Sequence, residues 1–250
     1  MDDHINKTYG KQTADVYDQW FAYEPEAIEL LAELARHGSA LELGIGTGRM
    51  ALPLAAKGVE VHGIDASPAM VEKLRERPGS ESINVTMGNF ADVNVDGKFT
   101  VVFIVFNTLF ALLTQEEQVR CFRNVAQHLN DDGVFLIEAF VPDVARFSSG
   151  PSLRIYTTTQ ERVSLQAAVH DPVQQRMFTQ NIVFTGDATK LYPVEVRYAW
   201  PSELDLMAQL AGLQLRSRWS NWKRETFTAA SEKHISVYER RSEEVFKDAC

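Results

Sequence analysis

Apolar residues between positions 40 and 140 alternate with polar ones in a rhythm of short strands and amphipathic helices. The run from Phe99 to Phe106 is apolar at nearly every position, which is typical of a central parallel strand covered by helices on both faces. Shorter apolar runs, separated by segments of helical spacing, predict further strands at Ala40 to Leu43, Val59 to Ile64, 83 to 87 and Val134 to Ala139. Strands that alternate with helices in this way indicate a doubly wound α/β sheet.

The pattern changes after residue 145. From Leu153 to Trp200 the sequence is rich in Thr, Val and Tyr and alternates with a period of two, with turn residues at Asp171-Pro172 and Gly186-Asp187. This pattern predicts three or four antiparallel strands inserted into the α/β domain. The last two strands, Leu213 to Trp219 and His234 to Arg240, are expected to pair as an antiparallel hairpin at the edge of the main sheet.

A cluster of aromatic residues precedes the first strand. Val16, Tyr17, Trp20 and Phe21 lie about one helical turn apart, so residues 1 to 24 are predicted to contain a short aromatic helix. A helix this short needs a surface to pack against. It either packs on the edge of the sheet as an ordinary amphipathic helix or covers a bound ligand as a lid.

Three glycines, Gly44, Gly46 and Gly48, follow the first predicted strand at alternate positions. Without a Cβ atom, they allow a sharp turn and let a ligand approach the backbone. Glu42 ends the strand before them, and Asp65 ends the next strand, where a carboxylate can accept hydrogen bonds from both hydroxyls of a ribose. The stretch predicts a nucleotide-type cofactor site, and its G-x-G-x-G spacing differs from the G-x-G-x-x-G of dinucleotide-binding loops.

Charge and cysteine content narrow the class of function. The 250 residues include 34 acidic and 25 basic ones, a net charge of -9, which disfavours nucleic acid as a partner. Two cysteines suggest no disulfide framework, and no apolar run is long enough to span a membrane, so we expect a soluble, cytoplasmic protein that does not bind membranes. The six histidines are scattered without metal-ligand spacing, so no metal site is expected.

Four motifs follow consecutive predicted strands: E-L-G-I-G-T-G at the first, Asp65 after the second, G-N-F after the third and V-F-N-T-L after the fourth. Together they resemble the ordered motifs of class I S-adenosylmethionine-dependent methyltransferases. The resemblance implies a Rossmann-like, seven-stranded sheet, the cofactor S-adenosyl-L-methionine and the product S-adenosyl-L-homocysteine. It places Glu42 near the ammonium group of the cofactor and Asp65 on its ribose. The cofactor-binding residues that it implies are Glu42, Gly44, Gly46, Gly48, Asp65, Ala66, Met70, Asn89, Phe90 and Phe106.

The N-terminal A-D-V-Y-D segment, the F-N-T-L-F-A-L-L-T-Q-E-E-Q run and the inserted strands are also similar to bacterial natural-product N-methyltransferases of the amino-sugar and lincosamide-pathway types. This closer resemblance implies that Tyr9 and Tyr17 are catalytic residues near the transferring methyl group. The acceptor-side residues that we expect are Trp20, Phe21, Asn107, Phe110 and His170.

The function we favour is methylation of an amine on a small-molecule secondary metabolite, such as an antibiotic or an amino sugar. An amine needs only to lose a proton before it attacks, whereas an alcohol usually needs a base or a metal ion. His170, in the inserted strands, is the one histidine that we consider as an acceptor-side base. O- or C-methylation, an NAD-dependent oxidoreductase with a similar sheet, and a catalytically silent cofactor-binding subunit are the alternatives.

This interpretation divides the chain into five parts: an N-terminal lid helix (1–24), an S-adenosylmethionine-binding Rossmann-like domain (25–145), an inserted β subdomain for substrate binding and oligomerisation (146–200), a return to the core sheet (201–241) and a frayed tail (242–250). An antiparallel insert has exposed edges that a partner subunit can protect. We therefore expect a homo-oligomer formed through the inserted subdomain.

Overall fold

Two separate β-sheets organise the chain, which the computed structural model describes over residues 8–20, 23–36, 38–92, 95–148, 150–186 and 188–241. The first sheet has seven strands: β1 (Ser39–Leu43), β2 (Glu60–Asp65), β3 (Asn84–Met87), β4 (Phe99–Ile104), β5 (Leu129–Phe140), β10 (Leu213–Trp219) and β11 (Lys233–Arg240). The second has four: β6 (Ser152–Thr158), β7 (Arg162–Asp171), β8 (Arg176–Thr185) and β9 (Ala188–Arg197). The predicted α/β fold with an antiparallel insertion is confirmed.

The seven-stranded sheet has the order β10-β11-β5-β4-β1-β2-β3. Strands β1 to β5 pair in parallel, while β11 is antiparallel to both β5 and β10. Strand β4 is central, as its apolar sequence predicts, and Val101, Val102 and Phe103 are fully buried. Strand β1 pairs with β2 on one side and with β4 on the other, and the chain crosses over β1 between β3 and β4, so the direction of winding reverses there. This reversal opens a crevice at the carboxyl ends of β1 and β4, where α/β sheets bind their ligands.

The α-helices whose two ends both lie within the described ranges are α1 (Lys11–Ala14), α2 (Tyr17–Trp20), α3 (Pro25–Ala35), α4 (Ala51–Ala56), α5 (Pro68–Arg75), α6 (Gln115–His128) and α7 (Pro201–Leu210). Proline begins α3, α5 and α7, as is favourable in the first turn of a helix. Ser67 caps α5 because its hydroxyl oxygen accepts a hydrogen bond from the backbone N–H of Met70 at 3.3 Å. No helix in these ranges has the length and apolar character needed to cross a membrane.

Two predicted elements differ from the structure. The predicted single aromatic helix is two short helices, α1 and α2, in the structure. They are separated by a turn at Asp15 and Val16, where the backbone N–H of Val16 donates a hydrogen bond to the carbonyl of Thr13, three residues earlier. Strand β5 begins at Leu129 rather than at Val134. Its pairing with β4 shifts register between Leu129 and Val134, so the polar residues in between form an irregularity within the strand.

The hydrophobic core covers both faces of the seven-stranded sheet. One cluster packs Leu43, Phe122 and Phe135 on one side, and a second packs Leu31 and Phe103 on the other. These layers hold the carboxyl ends of β1 and β4 rigidly in place.

A buried ion pair anchors the second sheet to the first. The Arg197 guanidinium, 5% exposed at the end of β9, bonds the Glu203 carboxylate of α7 at 2.7 Å and the Gln118 side chain of α6 at 2.7 Å. Breaking such a buried pair is strongly destabilising. The inserted sheet is therefore attached to the α/β domain through a fully partnered polar contact.

Candidate active site

A cavity lies at the carboxyl ends of β1 and β4. Five residues predicted to act at the site line it: Tyr17, Glu42, Gly44, Gly46 and Phe106. Six further lining residues were not predicted: Ile45, Thr47, Arg49, Met50, Val105 and Thr108. The structure thus brings the N-terminal segment, the glycine loop and the end of the central strand to one place.

The glycine loop has the backbone conformation that glycine alone adopts easily. Gly44 and Gly48 have φ angles of +77° and +73°. A Cβ atom on Gly44 would lie 2.5 Å from Cγ2 of Thr108, and one on Gly48 would lie 2.2 Å from Cδ1 of Leu74. Both glycines are therefore required by the turn and by its close packing.

Asp65 closes this loop from the end of β2. One oxygen of its carboxylate accepts a hydrogen bond from the backbone N–H of Gly46 at 2.7 Å, and the other accepts one from the N–H of Ser67 at 2.8 Å. Burial raises the pKa of Asp65, and these backbone donors oppose the rise. Because a carboxylate has about four acceptor positions, it can still receive hydroxyl groups from a ligand.

Glu42 places a buried carboxyl group in the lining of the cavity. It is 3% exposed, and its Oε2 atom has no hydrogen-bond partner among the described residues. Burial raises the pKa of Glu42 well above its ordinary value, and the nearby Arg49 guanidinium opposes this effect. An unpartnered buried carboxylate oxygen is costly unless a cation or donor binds it. The site is thus suited to an ammonium group.

Arg49 provides the positive charge of the cavity. Its guanidinium lies 4.4 Å from the ring centre of Phe106 and 5.9 Å from that of Tyr17, in cation–π geometry. Sequence reasoning missed this residue, although its position directly after Gly48 could have identified it. Arg49 and Glu42 line the same cavity, which therefore combines a basic and an acidic group, as an amino-acid group with an ammonium and a carboxylate requires.

The backbone at the end of β4 is held in an uncommon conformation. Phe106 and Asn107 both have positive φ angles, 60° and 65°. The carboxylate of Glu138 accepts a hydrogen bond from Phe106 N–H at 3.1 Å, and the side-chain oxygen of Asn107 accepts one from Phe140 N–H at 2.7 Å. Glu138 and Asn107 therefore fix the turn that aims Phe106 at the cavity.

The N-terminal segment is docked on the glycine loop and on α5. Asp18 accepts a hydrogen bond from the Thr47 hydroxyl at 2.7 Å and also pairs with Arg77. The Ser67 hydroxyl donates to the backbone carbonyl of Tyr9 at 2.6 Å. These contacts bring Tyr9 and Tyr17 to the edge of the glycine loop.

The same segment also contacts the inserted sheet. The Trp20 ring packs edge-on against Tyr192 of β9, with ring centres 4.4 Å apart, and the Gln12 side chain donates to the carbonyl of Leu191 at 3.0 Å. The N-terminal segment therefore bridges the two sheets.

Both tyrosines near the cavity keep their phenol protons at neutral pH. Burial raises the pKa of Tyr17 to about 12 against the opposing effect of Arg49. Burial also raises the pKa of Tyr9, to which the nearby Tyr17 phenol and Asp65 carboxylate contribute. Tyr9 and Tyr17 can therefore donate or accept hydrogen bonds, but a tyrosinate base would be unfavourable.

Other predicted site residues lie outside this cavity lining. Phe110 is fully buried in the core, edge-on to Phe140, and Phe90 is 6% exposed in the same core cluster. Met70 is buried beneath the loop, where its Cε atom would lie 3.3 Å from a Cβ on Gly46. The side-chain oxygen of Asn89 accepts from the N–H of Ala91 at 2.9 Å.

The remaining predicted residues divide into three cases. Ala66 directly follows β2, beside Asp65. His170 lies on β7, where its Nε2 atom is 2.9 Å from the Tyr198 hydroxyl and its ring packs on Phe147, and it lines a different cleft, beside Arg176. Phe21 falls outside the described residues.

The residues present fit the cofactor that the sequence motifs imply. S-adenosylmethionine combines an ammonium, a carboxylate and a ribose. The cavity lining offers the unpartnered Glu42 oxygen for the ammonium and the Arg49 guanidinium for the carboxylate. The Asp65 carboxylate, bonded to the backbone of Gly46 in that lining, is the group suited to the ribose. Across the described ranges, no group of three or more metal-ligating side chains is arranged to hold a metal ion.

Comparison with known proteins gives the same picture. Residues 40–133 match a methyltransferase domain family. The solved structure of the CcbJ methyltransferase from Streptomyces caelestis is similar to this chain with a TM-score of 0.88 and 41% sequence identity, covering 94% of this chain and 99% of that one. A cypemycin N-terminal methyltransferase from Streptomyces is 25% identical over 239 residues, 93% of this chain and 98% of the relative. A dTDP-4-amino-2,3,4,6-tetradeoxy-D-glucose N,N-dimethyltransferase from Saccharopolyspora spinosa is 28% identical over 143 residues, 53% of this chain and 56% of that protein.

Proposed function

Because the chain belongs to the class I S-adenosylmethionine-dependent methyltransferases of natural-product type, we propose that it methylates the nitrogen of an amine on a small-molecule secondary metabolite. Of the relatives above, one is named an N-terminal methyltransferase of cypemycin and another an N,N-dimethyltransferase of a dTDP-linked amino sugar. An amine is the feature that these two acceptors share. The proposal therefore concerns the reacting group and not one particular metabolite.

The cofactor is proposed to bind with its amino-acid part between Glu42 and Arg49. The buried Glu42 oxygen receives the ammonium group, and Arg49 receives the carboxylate in a charge-assisted contact. Asp65 receives the ribose hydroxyls while it retains the backbone bonds to Gly46 and Ser67. The residues proposed to border the adenine are Ala66, Met70, Asn89 and Phe90.

When bound, S-adenosylmethionine supplies an electrophilic methyl group on a sulfonium, which a nucleophile attacks in line. The protein then has to orient the acceptor and exclude water. Tyr17 lines the cavity beside Phe106, and its neutral hydroxyl is proposed to accept a hydrogen bond from an N–H of the acceptor so that the nitrogen lone pair points at the methyl group. Tyr9, held through its carbonyl by Ser67, is proposed to support Tyr17 from the same side.

The observation that carries the choice of nitrogen is the protonation state of the tyrosines. With a pKa of about 12, Tyr17 is a poor base at neutral pH, and none of the residues described as lining the cavity is a histidine or cysteine. The carboxylate in that lining, Glu42, is proposed to be occupied by the ammonium group of the cofactor. An alcohol would need such a base to form its nucleophile, whereas a neutral amine is already nucleophilic. The cavity is therefore better suited to an amine.

The inner part of the inserted sheet is proposed as the acceptor side. Trp20 packs on Tyr192 of β9, so the N-terminal segment and β9 together can enclose a small molecule next to Phe106. Asn107 is proposed to contribute to the acceptor side indirectly, because its side chain stabilises the turn that directs Phe106 into the cavity. His170 is not included, since the structure does not bring it to the cavity.

The proposal is tested by incubating the purified protein with S-adenosylmethionine and matched pairs of acceptors. Each pair has the same scaffold with either an amine or a hydroxyl at one position, and includes amino sugars and a short peptide with a free N-terminus. Mass spectrometry should detect methylated amines and formation of S-adenosylhomocysteine. Methylation of the hydroxyl members alone would contradict the choice of nitrogen, and cofactor binding without turnover of either kind would favour a silent subunit.

Tyr17→Phe separates acceptor positioning from cofactor binding. We expect kcat to fall about tenfold to a hundredfold, since a positioning hydrogen bond is lost, while the Kd for S-adenosylhomocysteine stays within about twofold. Tyr23→Phe, a change at an exposed tyrosine near α3, is the matched control and should leave both values unchanged. An unchanged kcat in Tyr17→Phe would remove this tyrosine from the proposed machinery.

A further inference from the structure

Glu138 is a charged residue in a strand whose neighbouring residues belong to the core. All the other residues from Val134 to Phe140 of β5 are apolar, and Leu136, two positions earlier on the same face, is fully buried. The side chain of Glu138 is itself only 12% exposed. A carboxylate in such a place is costly unless hydrogen bonds or an opposite charge compensate it. The partners of Glu138 therefore indicate what this charge is used for.

Glu138 binds the two residues after β4 that have positive φ angles. Its carboxylate Oε2 accepts a hydrogen bond from Phe106 N–H at 3.1 Å, and its backbone carbonyl accepts one from Asn107 N–H at 3.2 Å. Asparagine enters this left-handed region more readily than most residues, whereas a bulky phenylalanine there is an outlier. Such a conformation persists only where the surroundings enforce it. Glu138 does so by accepting from two consecutive backbone N–H groups.

Lys233 orients the carboxylate of Glu138. Glu138 pairs directly with Ile235 of β11, so Lys233, two residues earlier on β11, reaches it as a diagonal neighbour. The Lys233 ammonium donates to Oε1 of Glu138 at 3.3 Å, which leaves Oε2 directed at Phe106. The same ammonium also donates to Glu24 at 2.6 Å, and Glu24 directly precedes α3. Lys233 thus joins the turn after β4 to the start of α3.

Phe106 is the residue through which these contacts reach the cavity. Phe106 lines the cavity, and its ring centre lies 4.4 Å from the Arg49 guanidinium. Glu138 and Lys233 are not among the residues described as lining the cavity, so they act on it through the backbone of Phe106. A displaced Phe106 ring would leave the Arg49 guanidinium without this cation–π contact.

We propose that Glu138 and Lys233 are positioning residues for methyl transfer. The Lys233 ammonium holds the Glu138 carboxylate on the N–H of Phe106, and this contact keeps the Phe106 ring beside Arg49 in the cavity. A hydrogen bond to an ionised acceptor is stronger than one between neutral groups, which explains the use of a charged residue here. This proposal rests on the proposed function, which places the amino-acid part of the cofactor at Arg49.

Lys233→Met tests the proposal because it removes the ammonium and keeps the apolar stem of the side chain. Amide hydrogen exchange followed by NMR should show a protection of Phe106 N–H that is lower by about tenfold or more. With S-adenosylmethionine and the amine that gives the highest turnover in the acceptor pairs above, kcat should fall about tenfold. This kcat is expressed per S-adenosylhomocysteine-binding site, so unfolded protein does not contribute to the difference.

Lys223→Met is the matched control. Lys223 lies in the same connection between β10 and β11 and pairs with Glu26 of α3 at 3.4 Å, but it is 66% exposed. The control should leave both the protection of Phe106 N–H and kcat per binding site unchanged, since a surface ion pair of this kind contributes little.

Two further variants separate positioning from the effect of an ion pair alone. Lys233→Arg keeps the positive charge and should retain kcat within about threefold of the wild type. The double variant Glu138→Lys with Lys233→Glu also retains two opposite charges, but a lysine side chain has only donors and cannot accept from Phe106 N–H. It should bind S-adenosylhomocysteine and still lose kcat at least as strongly as Lys233→Met.

Two results would overturn the proposal. One is a protection of Phe106 N–H, or a kcat per binding site, in Lys233→Met equal to that in Lys223→Met. The other is a double variant whose kcat equals that of the wild type. A failure of the proposed function gives a different result, because the wild type then methylates no amine while the protection of Phe106 N–H still shows whether Lys233 holds the turn.

Discussion

The carboxylate of Asp65 lies 2.7 Å from the backbone nitrogen of Gly46 and ties the end of β2 to the middle of the glycine loop. Its second oxygen binds the N–H of Ser67 at 2.8 Å, at the start of α5. One side chain thus joins the two backbone segments that border the cofactor crevice. Asp65 has a structural role in the free protein in addition to the ribose contact proposed for it.

Replacing Asp65 with alanine should weaken both cofactor binding and folding. We expect the affinity for S-adenosylmethionine to fall by roughly 1.5–3 kcal/mol, because charge-assisted hydrogen bonds to the ribose are lost. The free energy of unfolding should fall by about 1–3 kcal/mol, since two backbone N–H groups lose their acceptor. Calorimetry and urea unfolding measure the two effects.

Asp92→Ala is the matched control for Asp65→Ala. Asp92 is an exposed carboxylate that pairs with Arg120 at 2.9 Å, and such surface pairs contribute about 0–1 kcal/mol. It should leave the Kd for the cofactor unchanged. A Kd in Asp65→Ala equal to that of the control would show that Asp65 does not contact the cofactor.

The contacts of the Asp18 side chain should hold the N-terminal segment on the glycine loop. It binds the Thr47 hydroxyl in the glycine loop and pairs with Arg77, two residues after the end of α5, while its neighbour Tyr17 lines the cavity. Asp18→Ala should therefore lower kcat/KM about tenfold, because Tyr17 is no longer held in place. Asp15→Ala, which removes an exposed pair with Lys73 at 3.1 Å in the same segment, should change it less than twofold.

A double-mutant cycle distinguishes a direct effect of the contact between Asp18 and Thr47 from a general loss of order in the N-terminal segment. If the bond between Asp18 and Thr47 matters, Asp18→Ala and Thr47→Ala should show a coupling of about 0.5–3 kcal/mol in kcat/KM. Thr47→Ser keeps the hydroxyl and should restore most of the loss. Strictly additive effects of the two alanine variants would rule out a direct functional contact.

The parts of the fold that sequence predicted best are those with a local physical cause. The apolar run of β4 cannot be stable unless both faces are covered, and the prolines and Ser67 mark helix starts through their own backbone chemistry. Gly44 and Gly48 could be assigned to a tight loop because other residues do not adopt its conformation easily.

The features that sequence did not predict depend on contacts between distant segments. Glu138 supports Phe106 across 32 residues, and Asp18 binds Thr47 across 29. The guanidinium of Arg49 is positioned by cation–π contacts with the rings of Phe106 and Tyr17, which lie in segments far apart in the sequence. A pattern of apolar positions carries no information on such pairs, since it reports which residues are buried and not which of them meet.

Protonation of His234 should contribute to a loss of folding stability as the pH falls. Burial, with a contribution from the nearby Arg218 guanidinium, lowers the pKa of His234 from 6.5 to about 4. Below pH 6.5 the unfolded chain binds a proton that the folded chain does not, so stability is lost as the pH falls from about 6.5 to about 4. The total loss from this group is on the order of 3 kcal/mol.

Urea unfolding of the wild type and of His234→Gln at several pH values isolates this contribution. The glutamine variant cannot titrate, so the difference in the free energy of unfolding between the two proteins should change over the range from pH 6.5 to 4 and stay constant above pH 7. A difference that is the same at every pH would mean that His234 is protonated to the same extent in both states.

The buried side chain of Glu42 should lower the stability of the free protein and strengthen the binding of the cofactor. Its buried carboxylate has an unpartnered oxygen, and burial raises its pKa well above the ordinary value of 4.5. The folded protein therefore holds a proton that the unfolded chain releases, so this group reduces stability as the pH rises above 4.5. Glu42→Gln removes the titration, and the variant should be more stable than the wild type by about 1 kcal/mol or more at pH 8.

The same substitution should weaken the binding of S-adenosylmethionine about tenfold to a hundredfold, because a neutral amide replaces the carboxylate proposed to bind the ammonium group. Urea unfolding between pH 5 and 8 and calorimetry at pH 7.5 measure the two opposite effects. Glu60→Gln, at an exposed glutamate of β2, should change neither quantity by more than about 0.5 kcal/mol. Loss of stability in Glu42→Gln across the whole pH range would mean that the carboxylate is satisfied in the free protein, and the position proposed for the ammonium group would then lose its physical basis.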